Sequence, residues 1–185
     1  MTTRILIVLT VLFIGSGCQS TYFSDPIRTM SYVDLDRFAG DWYVIAAIPT
    51  FIETEAYDAV ETYSAPVDGQ VATTFRFRDG GFDGPEKVYN PMGFVREGTG
   101  NAIWGMQFVW PIKAEYRIVY VDENYYFTII GRSKRDFVWI MARSADISES
   151  RYKELVAMVE AEGYDLSKIR RVPHSKSDPL LHNDS

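Results

Sequence analysis

Cysteine is nearly absent from this chain of 185 residues: Cys18 is the only one. An intrachain disulfide is therefore excluded, whatever the redox state of the compartment. Histidine is almost as scarce, and both copies, His174 and His182, fall in a polar C-terminal segment. The body of the chain thus has no His–Ser or His–Cys pair for nucleophilic catalysis and no His/Cys cluster for zinc. Excess basic charge is also missing. With 19 Lys+Arg against 25 Asp+Glu, the net charge of −6 argues against nucleic acid, whose affinity rests on neutralising phosphates. No glycine-rich dinucleotide loop is present either, because Gly98-Thr99-Gly100 meets Ile103 where a third glycine belongs and no βαβ pattern surrounds it. Finally, no apolar run reaches the roughly 20 residues that a membrane-spanning helix needs. The longest, Ile5 to Ile14, is about half that length.

That run has a different use. Arg4, the apolar stretch and Gly15-Ser16-Gly17-Cys18 follow the order of a secretory leader with small residues before its cut site. The pattern resembles a bacterial lipobox, with Gly15 where Leu is usual. The resemblance implies a signal peptide at 1–17 and lipidation of Cys18 on the new N-terminus. Gln19 in place of Asp after the anchor implies the outer membrane of a Gram-negative envelope. Residues 18–33 read as a lipidated tether, 34–172 as the folded domain, and 173–185 as a disordered polar tail.

Within the domain, Asp34 to Gly40 reads as one helical turn, followed by strand-sized segments separated by turn signals such as Pro66-Val67-Asp68-Gly69 and Asp79-Gly80-Gly81. Repeated short strands at this spacing predict an antiparallel barrel or sandwich. Alternation puts Trp104, Met106, Phe108 and Trp110 on one face of a strand, and Tyr116, Ile118 and Tyr120 on one face of the next. Phe137, Trp139 and Met141 alternate with Val138, Ile140 and Ala142, so both faces are apolar and the outside needs a cover. Tyr152, Leu155, Val156 and Val159 recur at helical spacing between Ser148 and Gly163, which predicts one amphipathic helix to supply it.

Gly40-Asp41-Trp42, Asp122-Glu123-Asn124-Tyr125 and Trp139-Ile140-Met141-Ala142-Arg143, followed by the one-helix ending Glu162 to Lys168, together resemble the lipocalin family. The likeness covers roughly 34–172 and is to the branch of bacterial outer-membrane lipocalins, apolipoprotein D and plant temperature-induced lipocalins. It implies an all-β fold: an eight-stranded antiparallel up-and-down barrel with one C-terminal helix packed outside. It also implies that Gly40, Trp42, Asp122, Tyr125 and Arg143 form a structural signature, with Arg143 over the Trp42 ring. A barrel with an open cavity, no enzyme activity, and no metal or cofactor follow from the same resemblance.

The ligand-binding candidates are the inward-facing residues: Val44 and Ala46 on the first strand, Tyr63, Trp104, Met106, Phe108, Tyr116, Ile118, Tyr120, Phe137 and Trp139. The expected ligand is a fatty acid, lysophospholipid or similar amphiphile, stored or transported for envelope maintenance. Membrane contact comes through the anchor, and a homodimer is left open. Glu61 is the anomaly, because the alternation that turns Tyr63 inward does the same for Glu61. A buried carboxylate needs a partner, and Arg76 or Arg78 on the next strand are the candidates; a register slip that exposes Glu61 is the alternative. The cluster Arg132-Ser133-Lys134-Arg135-Asp136 reads as a solvated hairpin turn or a contact for anionic head groups. A filled barrel serving as an interaction module, or a lipocalin-fold enzyme acting on a lipid, are the rival functions. The prostaglandin-isomerising relative uses a cysteine that this domain lacks.

Overall fold

A computed structural model describes residues 26–175. The leader and Cys18, and the residues from 176 onward, lie outside the described residues. A short helix, α1 (Leu35–Phe38), precedes β1 (Gly40–Ile48), β2 (Ala56–Tyr63), β3 (Gln70–Asp79), β4 (Glu86–Tyr89), β5 (Met92–Val95), β6 (Ile103–Val109), β7 (Ile112–Val121), β8 (Phe127–Gly131) and β9 (Val138–Ala142). Then come α2 (Glu149–Ala161), a 3-10 turn and β10 (Arg170–Arg171). Neighbouring strands pair antiparallel in the order β1-β2-β3-β5-β6-β7-β8-β9, and β9 returns to β1 through pairs running from Tyr43↔Ala142 to Ile48↔Val138. Strands β4 and β5 both pair with β3 and form one stave interrupted at Asn90-Pro91. The result is a closed, eight-stranded antiparallel barrel, as the family resemblance implies. Closure leaves unpaired edges among the described strands only at β4, which pairs β3 alone, and at the short flap of β10 on β1.

The outer cover is where the periodicity put it. Ser148 caps α2 by accepting from the Arg151 amide, and Gly163 takes φ +84° after its last turn. Leu155 and Val159 are fully buried against Ile45, Ile129, Val138 and Ile140 on the barrel's outer face. Each such side chain contributes about 1.5–3 kcal/mol by leaving water.

One end of the barrel is plugged. Trp42 has no exposed surface, and its Nε1 donates to the Phe38 carbonyl at 2.8 Å. The Arg143 guanidinium lies 3.9 Å from the Trp42 ring centroid. It also donates at 2.7–3.1 Å to the carbonyls of Arg37, Phe38 and Ala39, which α1 leaves without intrahelical partners, and to that of Asp41 on β1. Gly40, at φ +98°, leaves room for this approach, since a Cβ there would stand 3.3 Å from Arg143 Nη1. Tyr125 is held in the Asp122 turn, whose carboxylate accepts from the amides of Asn124, Tyr126 and Phe127. The Tyr125 hydroxyl in turn accepts from the Asp34 amide at 2.8 Å.

Both ends of the domain extend past the boundaries predicted from sequence. Residues 26–33, read as tether, are packed on the barrel: Ile27 and Val33 are buried, and the Met30 amide donates to the Ile118 carbonyl at 3.0 Å. Pro173 to Ser175, read as disordered tail, are also docked. His174 is buried with Nε2 donating to the Val44 carbonyl at 2.9 Å, and the Ser175 amide donates to Asp58 at 2.7 Å. The cause is a bulge in β1 between Val44 and Ala46. It takes carbonyls out of the β9 ladder, and the C-terminal segment supplies the missing donors: Val172 N bonds Ile45 O, and His174 bonds Val44 O.

Candidate ligand cavity

Above the plug the barrel is hollow. A cavity of about 330 Å³ is walled by Val44, Phe75, Met106, Tyr116, Trp139 and Met141, among others. It opens between the β1–β2 loop, the β6–β7 turn and the β8–β9 turn. Phe51 and Ile52, Phe108 and Val109, and Arg132 and Phe137 represent these segments at the rim.

The floor is aromatic. Trp104 stacks on Tyr116 with ring centroids 5.5 Å apart and meets Phe38 and Tyr63 edge-on. The Tyr63 and Tyr116 hydroxyls hydrogen-bond to each other above it. Trp104 and Ile118 therefore face inward as predicted but do not line the cavity; they fill the barrel between its floor and the Trp42 plug.

Of the other predicted lining residues, Val44, Glu61, Tyr63, Met106, Tyr116, Phe137 and Trp139 border the cavity. Two predicted lining residues face the other way, each at a bulge. Ala46 faces outward, because the β1 bulge turns Ile45 and Ala46 both toward α2 and brings Ala47 inside. Tyr120 also faces outward: a shift between Ile118 and Tyr120 sends Val119 and Tyr120 to the helix side and Val121 inside. Phe108 borders the cavity as predicted, at its rim, where it is 49% exposed beyond a shift between Met106 and Val109. Trp110, on the same predicted stripe, is 82% exposed in the turn.

Glu61 does face inward, so the register slip is excluded, yet neither arginine joins it. Cross-strand neighbours share a face, and the register pairs Glu61 with Phe75 and Val60 with Arg76. Arg76 lies outside, 3.8 Å from Asp41, and Arg78 donates to the Gly84 carbonyl. The carboxyl near Glu61 is instead Glu53, a buried loop residue whose Oε1 accepts from Thr50 N at 2.9 Å and Trp139 Nε1 at 3.0 Å. Burial foremost, and then the Glu53 charge, push the Glu61 carboxyl up to about 8, with the Thr73 hydroxyl only partly offsetting them. Burial likewise raises Glu53 against its hydrogen bonds, and it raises the Tyr63 and Tyr116 hydroxyls. Glu115, at the mouth, behaves differently: despite some burial, bonds from Ser133 and Arg117 hold it below the usual range. Sequence reasoning missed Glu53 because it sits in a loop that no periodicity describes. Phe75 was legible from its alternation with Arg76.

A barrel with a plugged, Arg-capped end, a single outer helix and an open apolar interior is a known architecture, and residues 33–174 match the lipocalin-like domain. The chain belongs to the lipocalin family. This lipocalin is 28% identical over 159 residues to temperature-induced lipocalin-1 of Arabidopsis thaliana, covering 80% of this chain and 82% of that one. It is 26% identical over 169 residues to the outer membrane lipoprotein Blc of Escherichia coli, covering 86% and 89%. In fold it is similar to insecticyanin from the tobacco hornworm Manduca sexta, with a TM-score of 0.63 at 14% identity, covering 83% of this chain and 91% of that one.

Proposed function

We propose that this lipocalin is a non-enzymatic, lipid-anchored carrier of single-chain amphiphiles of the fatty-acid and lysophospholipid class, serving the outer membrane. The observation that carries the reading is the cavity itself. Ligand sites are concave, mostly apolar and of roughly 300–1,000 Å³, and a volume near the lower bound suits one acyl chain better than two. A filled barrel would leave no such space. Passive burial supplies the driving force, at about 0.8 kcal/mol per methylene before the ordering of the chain is charged against it.

The path of the N-terminus supports the anchor. Ile27 packs at Gly131, which ends β8 just below the rim, and Arg28 pairs with Glu162 at 2.6 Å nearby. From Pro26 back to Cys18 the chain reaches at most about 28 Å. A lipid on Cys18 would therefore keep the barrel within about 28 Å of the bilayer, tethered from the side of its mouth. Cys18→Ala is expected to abolish acyl labelling and release the protein from the outer-membrane fraction, or to leave the leader uncut; unchanged labelling and fractionation refute the anchor.

Ligand binding is tested with lysophosphatidylcholines of C12 to C18 chain length on lipid-stripped protein. Tryptophan fluorescence should change saturably, and affinity should rise with each methylene by somewhat less than 0.8 kcal/mol. The reporter is Trp139, whose ring walls the cavity while Trp42 and Trp104 lie beneath its floor. Trp139→Phe should remove most of the signal while calorimetry still detects binding. A flat titration at every chain length removes the carrier reading.

A further inference from the structure

An apolar cavity that encloses two carboxyl groups, with no cation paired to either among the described residues, is built for a ligand that brings the cation. We infer that this cavity takes a single-chain amphiphile bearing a protonated amine, with the ammonium seated at Glu61 and Glu53. The inference rests on the carrier reading and narrows its ligand class.

Three observations converge on it. Glu61 is fixed deep in the barrel by its β2 register, beside Thr73 and the Tyr63–Tyr116 hydroxyl pair. Glu53 is carried in from the β1–β2 loop and held by Thr50 and Trp139. The aromatic faces of Trp139 and Tyr116, stacked with centroids 6.4 Å apart, stand on the same cavity wall. Carboxylates next to aromatic faces are the chemistry that recognises ammonium groups. A free fatty-acid carboxylate would instead bring a third acid into the same apolar space.

The charges at the mouth do not alter this balance. Arg132 stands 3.4 Å from Asp136, although its Nε has no hydrogen-bond partner among the described residues, and Glu115 is 2.7 Å from Arg117, so each mouth charge faces a counter-charge of its own. The groups facing the ammonium are thus Glu61, Glu53 and the two tyrosine hydroxyls, which stay protonated; Arg170, which shares a small pocket with Glu53, donates to the Ala56 carbonyl at 2.8 Å and lies over the Tyr57 ring. Since Glu61 ionises only near 8, an ammonium arriving at neutral pH displaces its proton to solvent and pairs with the carboxylate that remains. Apparent affinity for the amine then rises close to tenfold per pH unit up to about 8 and levels off above it.

The test uses the mature chain, stripped of lipid, with dodecylamine, dodecanol and dodecanoate titrated calorimetrically at pH 6, 7 and 8. Dodecylamine should bind at least tenfold tighter than dodecanol at pH 8, gain affinity with pH, and release close to one proton per ligand at pH 7. Dodecanol should bind with no pH dependence. Glu61→Gln should keep dodecanol affinity and lose both the amine preference and the pH slope; Glu53→Gln should lower the preference and keep the slope. An amine no better than the alcohol, or a preference for dodecanoate, overturns the inference and leaves the carrier intact. Absence of saturable dodecanol binding brings down the carrier reading and the inference together.

Discussion

Trp42→Ala should lower the unfolding free energy by about 3–5 kcal/mol, the range for truncating a large aromatic in a packed core. The residue has no exposed surface, touches the Phe38 ring at 5.1 Å and supplies a hydrogen bond to the end of α1. Arg143→Ala should also destabilise, because it removes a donor from three carbonyls at that helix end and from Asp41 on β1, and removes the cation from the indole face. The two losses should not add. A desolvated cation–π contact contributes up to about 2 kcal/mol, and that share disappears once in either single variant. Urea unfolding of the wild type, both single variants and the double variant measures the coupling. A coupling indistinguishable from zero shows that Arg143 acts only through the carbonyls it bonds. Neither substitution touches the cavity wall, so ligand affinity of the folded fraction should stay near that of the wild type.

The limits of reading this barrel from its sequence are physical. On β3, Phe75 and Phe77 alternate with Arg76 and Arg78, so charge marks which phase faces out; offering those arginines to Glu61 sets that signal aside, and the register overturns it. On β1 and β7 both faces are apolar, since α2 and the N-terminal segment cover the outside. A bulge on such a strand shifts the phase without leaving a polar residue in the wrong place, which is why Ala46 and Tyr120 were assigned to the interior. The plug was legible because its residues are spaced along the chain in a recognisable order, and no register decides them. The docking of residues 26–33 and 173–175 was not, because it relies on backbone bonds to bulged or unpaired positions that composition does not encode.

Glu61 offers the clearest energetic consequence of the cavity. Its carboxyl is held up to about 8 in the folded chain, against about 4.5 when exposed. Below pH 4.5 the group is protonated in both states and contributes nothing to pH dependence. Between 4.5 and 8 the unfolded chain releases the proton and the folded chain keeps it, so ν_U − ν_N is negative and stability falls as pH rises. At 1.36 kcal/mol per unit the full window corresponds to an upper bound of about 5 kcal/mol, and relaxation of the cavity leaves an expected loss on the order of 2–4 kcal/mol. Glu61→Gln keeps the shape and removes the proton equilibrium. The variant should therefore match the wild type near pH 4.5 and exceed it by that margin at pH 8, in urea unfolding at pH 4.5, 6 and 8. Glu53, also raised by burial, pulls in the same direction in both proteins, and because its charge acts on Glu61 the difference reads Glu61 together with that coupling. Glu115→Gln is the control of opposite sign, because a carboxyl held below its usual range contributes stability above the unfolded value and loses it as pH falls. Equal stability of Glu61→Gln and wild type at all three pH values means the carboxyl is solvated in the folded chain. An amine that fills the site should erase the same difference, since it gives the ionised carboxylate the partner that the empty barrel withholds.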